Sequence, residues 1–230
     1  MSAGTDIPVI TIDGPSGVGK GAVSAALADA LGWHLLDSGA VYRAVAWVAL
    51  EQGIEPTDEV RLAAVCEDMD LKFESCGSDI AVLIDGVSVG EQLRSEPVGQ
   101  MASKVAAIPA VRRALLDLQY DFRQSPGLIA DGRDMGTVVF PDAQAKIFLT
   151  ASAHERATRR FKQLKEKGED VIFDSLFSEI AERDRRDRER AVSPTVPADD
   201  AKVIDSTDMS LEQVISESKA YVELKLGVSE

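Results

Sequence analysis

Val9-Ile10-Thr11-Ile12-Asp13-Gly14-Pro15-Ser16-Gly17-Val18-Gly19-Lys20-Gly21-Ala22 is the stretch whose reading determines the rest of the chain. Ile7 to Ile12 is a short run rich in β-branched residues that stops at Asp13, and Gly14, Gly17, Gly19 and Gly21 then punctuate a turn. From Ala22 the apolar residues Val23, Ala26, Leu27, Ala30 and Leu31 recur at three and four, the period of a helix face, and Gly32 is placed to end it. Strand, glycine turn and helix in that order suit a phosphate-binding loop. The glycines let successive backbone N–H groups turn inward around an anion, the helix N-terminus adds its dipole, and Lys20 reaches the outer phosphates of a nucleotide. Gly21 stands where most such loops carry the Ser or Thr whose hydroxyl binds magnesium. Magnesium is then expected on nucleotide oxygens, water and the carboxylates Asp13 and Asp131, because this ion tolerates a largely hydrated shell.

Working outward, Trp33 to Leu36 reads as a second strand and Val41 to Leu50 as a helix, so the alternation of a parallel sheet is under way. Between Leu71 and Val89 the pattern changes to period two, with Ile80, Val82 and Ile84 on one side and Asp85-Gly86 as a hairpin turn, which predicts a small antiparallel insert. Helical spacing resumes at Val98, Met101 and Val105, and again at Val111, Leu115 and Leu118. Leu128 to Ala130 and Ala145 to Leu149 read as central parallel strands. His154 to Gly168 and Phe173 to Arg190 read as charged helices, and Ala201 to Ile204 as a last strand. Ser210 with Gln213 is a capping box that opens a terminal helix.

Of the 230 residues 45% are hydrophobic, enough for a sizeable core, and the net charge of −14 argues against a protein that coats nucleic acid or an anionic membrane. An anionic ligand must therefore meet local, concentrated cations. Cys66 and Cys76 lie far from His34 and His154, so neither a zinc pattern nor a disulfide is expected. Met1 to Asp6 has no basic region and the apolar run after it breaks at Asp13, which predicts neither a leader nor a membrane span, and so a cytoplasmic protein.

Three further stretches narrow the reading: Asp37-Ser38-Gly39 with Tyr42-Arg43, Ile129-Ala130-Asp131-Gly132-Arg133-Asp134-Met135-Gly136-Thr137, and the arginine-rich Arg183 to Arg190. Together with Gly19-Lys20-Gly21 they make the chain resemble the bacterial cytidylate kinases, a branch of the nucleoside monophosphate kinases, from about Val9 to the C-terminal helix. The resemblance implies one three-layer α/β P-loop kinase core over residues 1–230, with a parallel sheet, an acceptor-binding insert near 67–110 and a short lid near 154–170. It implies phosphorylation of CMP and dCMP by ATP with Mg²⁺, by a monomer of pyrimidine nucleotide metabolism.

By the same resemblance the donor is held by Gly14, Pro15, Ser16, Gly17, Val18, Gly19, Lys20, Gly21 and Ala22, with Arg156 and Arg160 on the lid. The family commonly has Thr at the position of Ala22, so one hydroxyl contact to the donor's α-phosphate is expected to be missing. Arg43, Arg133 and Arg190 are the implied clamp on the acceptor phosphate, which with Lys20 completes the catalytic set. A planar guanidinium suits that role because it takes phosphate oxygens in pairs. Spacings of four and three put Arg183, Asp187 and Arg190 on one helical face; the resemblance sets the first two at the ribose hydroxyls. Cytosine offers an amine beside acceptor N3 and O2, and Asp134, Arg112 and Ser103 match the family's base-binding residues, with Ser38 beside the acceptor. The phosphate loop alone names no acceptor, so a kinase of UMP, AMP or a non-nucleotide alcohol, and an ATP-dependent switch that transfers nothing, stay open from the residues themselves.

Overall fold

The computed structural model describes residues 7–76 and 79–227. Both the reading of Met1 to Asp6 and the side of the insert taken by Ile80 lie outside what it describes. The chain divides into two compact units, one of residues 1–36 with 121–230 and the other of residues 37–120.

In order, the elements are β1 (Val9–Asp13), α1 (Lys20–Leu31), β2 (His34–Asp37), α2 (Ser38–Glu51), α3 (Glu59–Asp68), β3 (Leu71–Cys76), β4 (Asp79–Ile84), β5 (Val87–Ser88), α4 (Glu96–Val105), α5 (Pro109–Ala114), α6 (Leu116–Asp121), β6 (Leu128–Gly132), β7 (Ala145–Thr150), α7 (Ala153–Glu166), α8 (Phe173–Glu189), β8 (Lys202–Asp205) and α9 (Leu211–Leu226). A 3₁₀ turn at Gln92–Arg94 and a π-helical turn at Met135–Val139 complete them.

The first unit is built on a five-stranded sheet in the order β2-β6-β1-β7-β8. β1 is central and buried along its whole length, and it pairs in parallel with β6 on one side and β7 on the other. β7 continues in parallel to β8. Ile10, Ile12, Ile147 and Leu149 are fully buried with Val23 and Leu27 of α1 and Val214 and Val222 of α9. Each such aliphatic side chain contributes about 1.5–3 kcal/mol relative to exposure. Gly32 caps α1 in the left-handed conformation, and Ser210 with Gln213 caps α9 as the sequence predicts. The α/β architecture with a parallel sheet is thus the expected one.

The second unit packs α2 against α4 and α3 against α5. Small and β-branched residues of α2, among them Ala44, Val45 and Ala49, are fully buried, as is Val105 of α4. Asp37 caps α2 by accepting from Ala40 N at 3.0 Å. The antiparallel insert is present: β3 pairs β4 with Leu71 opposite Ile84, and β4 pairs β5. Its turn is at Asp85-Gly86, both with positive φ (51° and 78°) as a tight hairpin demands.

Candidate functional site

Because β1 and β6 are parallel neighbours with Asp13 opposite Gly132, two chemically distinctive segments leave the sheet side by side at its carboxyl edge. One is the loop Gly14 to Gly19, and the other begins at Arg133. This edge is where open α/β sheets place ligands.

Four restraints hold the loop. Val18 is 1% exposed and packs in the core under the sheet edge. Ser206 Oγ lies 3.5 Å from Val18 O and donates to Thr150 O at 3.1 Å. Lys20 Nζ donates to Pro15 O at 3.1 Å across the loop. Arg156 Nη1 donates to Ser16 O at 3.0 Å. Gly14 has φ +143°, and a Cβ there would fall 2.0 Å from Leu149 O, so only glycine lets the chain leave β1 this close to β7. Gly19 takes a left-handed φ of 96° as it enters α1. Lys20 is buried, with its Nζ 3.8 Å from Asp131 Oδ1. Gly21 and Ala22 are exposed on the first turn of α1.

Asp13 Oδ1 accepts from Met135 N and Oδ2 from Gly136 N, each at 2.8 Å. Burial pushes the Asp13 carboxyl up to about 7, against the two amides and Lys20, which pull it down; Asp134 adds a further upward push.

Asp187 of α8 joins Arg133 and Arg190. Its Oδ2 accepts from Arg133 Nε at 3.3 Å, and its carbonyl accepts from Arg190 Nε at 3.3 Å and Thr195 N at 2.9 Å. Arg190 Nη2 also donates to Thr195 Oγ1 at 3.3 Å, which fixes the arginine where the helix ends. Asp134 is 3% exposed in the segment after β6, and Arg183 is one turn before Asp187 on α8.

Arg156 lies against the phosphate loop. It is 3% exposed on a fourteen-residue α7 that packs on α8, and besides Ser16 O it donates to Ala151 O at 3.1 Å and in a fork to Asp184. It meets the phosphate loop through a backbone carbonyl. Arg160 is half-buried one turn further along α7. Asp184 is a residue that sequence reasoning passes over, since on α8 it looks like one of many exposed charges, and only the fold shows its partner.

The second unit holds the other candidates. Ser38 and Ser103 are buried at 4% and 5% exposure, on the first turn of α2 and near the end of α4. Arg43 is half-buried on α2. Arg112 on α5 donates to Ala106 O at 3.2 Å and lies 5.7 Å from the centre of the Tyr42 ring, a cation–π arrangement that sets the direction of its guanidinium.

Residues 10–224 match the family model described as cytidylate kinase. The chain belongs to the cytidylate kinase family. The cytidylate kinase of Aeromonas hydrophila subsp. hydrophila is 56% identical over 220 residues, which cover 96% of each chain. That of Klebsiella pneumoniae (strain 342) is 56% identical over 224 residues, 97% of this chain and 99% of the relative. That of Photobacterium profundum is 55% identical over 222 residues, 96% and 97% of the two. Family membership therefore covers the phosphate loop, the segment after β6 and α8 together. Among the described residues, no helix is long and apolar enough to cross a membrane.

Proposed function

We propose that this protein transfers the γ-phosphoryl group of ATP to CMP and dCMP, giving ADP and the pyrimidine nucleoside diphosphate. The observation that carries the reading is the pairing of β1 with β6, from whose ends the phosphate loop and Arg133 leave side by side. Phosphoryl transfer asks a protein mainly for alignment and for cations around a charge-rich transition state. An oxygen of the CMP phosphate attacks the γ-phosphorus while the bond to the β–γ bridging oxygen breaks and ADP departs with that electron pair. Lys20 meets the donor phosphates, and Arg43, Arg133 and Arg190 meet the acceptor phosphate. The backbone of Gly14 to Gly19, with Gly21 and Ala22, cradles the donor. Arg156, which also supports the loop, and Arg160 reach the donor from the segment 154–170.

Base choice falls to Asp134, which accepts from the cytosine amine, and to Arg112 with Ser103, which donate to N3 and O2. Arg183 and Asp187 take the ribose hydroxyls and Ser38 the acceptor phosphate. The insert near 67–110 belongs to the acceptor side.

Mg²⁺ comes with the nucleotide in this reading and neutralises phosphate charge. Among the described residues no group of three or more His, Cys, Asp or Glu side chains is placed to hold a metal ion. Asp13 and Asp131 are engaged by backbone amides and by Lys20 respectively. They suit an ion that keeps phosphate oxygens and water and meets carboxylates through water. The same reading takes the protein to be a cytoplasmic monomer that binds neither nucleic acid nor membrane.

Direct transfer is tested with γ-radiolabelled Mg·ATP. Label is expected in CDP when CMP is present and never on the protein; labelled protein that chases into CDP would contradict in-line transfer.

A further inference from the structure

After Arg133 and Asp134 the chain enters the π-helical turn Met135–Val139. The turn satisfies its later amides internally: Asp134 O accepts from Val138 N at 2.9 Å and Val139 N at 3.2 Å, and Met135 O from Phe140 N. Its first two amides have no partner inside the turn, as at any helix start. Both bond to Asp13, 122 and 123 residues earlier in the chain, one to each carboxylate oxygen. Two bonds to consecutive amides, one at each oxygen, fix the place and the tilt of that backbone, which one bond cannot. The seat is also tight. A Cβ on Gly136 would lie 2.7 Å from Thr11 Oγ1 and 3.2 Å from Lys146 Cδ, so the turn lies directly on β1.

We propose that Asp13 is a positioning residue for the acceptor: by holding Met135 N and Gly136 N it sets where Arg133 and Asp134 point, and through them the choice of base. The proposal rests on the reading of those two residues as CMP ligands. It gives Asp13 a function other than the metal role that its place before the loop suggests. Asn at this position keeps the volume but turns an NH₂ group toward one of the two amides, so a bond becomes a donor–donor contact.

The test is steady-state kinetics of the full-length protein, with CMP, UMP and ATP varied in turn. Asp13→Asn is expected to raise KM for CMP about tenfold or more and to lower the CMP-to-UMP ratio of kcat/KM, while KM for ATP rises clearly less, because Asn keeps one oxygen for a water-mediated contact to Mg·ATP. Asp134→Ala is run alongside. If it leaves base preference untouched, the acceptor reading fails and the proposal with it; if it changes base preference and Asp13→Asn does not, the proposal alone is overturned. Equal rises in KM for ATP and CMP also overturn it, since Asp13 would then act through the adjoining phosphate loop.

Should Asp13→Asn lose its cooperative thermal transition, Gly136→Ala displaces the same turn while leaving the carboxylate in place. The same KM split is expected for it, with recovery in Thr11→Ala/Gly136→Ala, where the closest clashing atom is gone. No split, or no recovery, overturns the proposal.

Discussion

Arg156 and Asp184 meet guanidinium to carboxylate, Nη1 to Oδ1 at 2.9 Å, with side chains only 3% and 13% exposed. The same Nη1 donates to Ser16 O, so this pair connects α8 to the phosphate loop. Removing one partner strands a buried charge. Asp184→Ala is expected to destabilise the protein by about 3–5 kcal/mol in urea unfolding, whereas Arg156→Met with Asp184→Leu is expected to stay within about 1–2 kcal/mol of the parent. The double variant should still show a raised KM for ATP, because Ser16 has lost its restraint. A fully stable Asp184→Ala protein would contradict the role given to the pair.

Ala22 is exposed on the first turn of α1, so a hydroxyl added there has room. Ala22→Thr is expected to tighten ATP by about 1 kcal/mol, roughly fivefold in KM. Equal Michaelis constants for ATP in the two proteins would count against the contact.

Asp134 is 3% exposed, and a charged acceptor for the cytosine amine is worth about 1.5–3 kcal/mol. Asp134→Ala is therefore expected to lose roughly tenfold or more of the preference for CMP over UMP. Unchanged discrimination in the two-substrate comparison would remove Asp134 from base recognition.

The Cys66 thiol donates to Leu62 O at 3.2 Å, and burial, with Glu67 beside it, pushes its pKa up to about 12. The raised value keeps the nucleophilic thiolate scarce at pH 8. In a Cys76→Ser background the remaining thiol should react with Ellman's reagent far more slowly than free cysteine, and a rate matching free cysteine would refute the shift.

The strand, glycine loop and helix around Lys20 were legible because each has a one-dimensional signature: a β-branched run, glycines at turn positions, and a three–four apolar period. Arg183 and Asp187 fall one turn apart on α8 as their spacing predicts, whereas Arg190, expected on the same helical face, lies just past the end of the helix. Other features have no such signature. Glu59–Asp68 buries only Leu62 and Val65 among its residues, too few anchors for periodicity to announce a helix. Val111, Leu115 and Leu118 read as one helical run, yet the chain forms α5 and α6 with Leu115 between them. Asp13 reaches Met135 and Gly136 across more than half the chain, and Arg156 reaches Asp184 from another helix, so only the fold brings either pair together.

The central claim, transfer from ATP to a cytidine monophosphate, is tested most directly by a coupled ADP-release assay with Mg·ATP and CMP, dCMP, UMP or AMP in turn. The account predicts the highest kcat/KM with CMP or dCMP and at least about tenfold less with UMP and AMP. Absence of CMP-dependent turnover, or a preference for UMP or AMP, would contradict it.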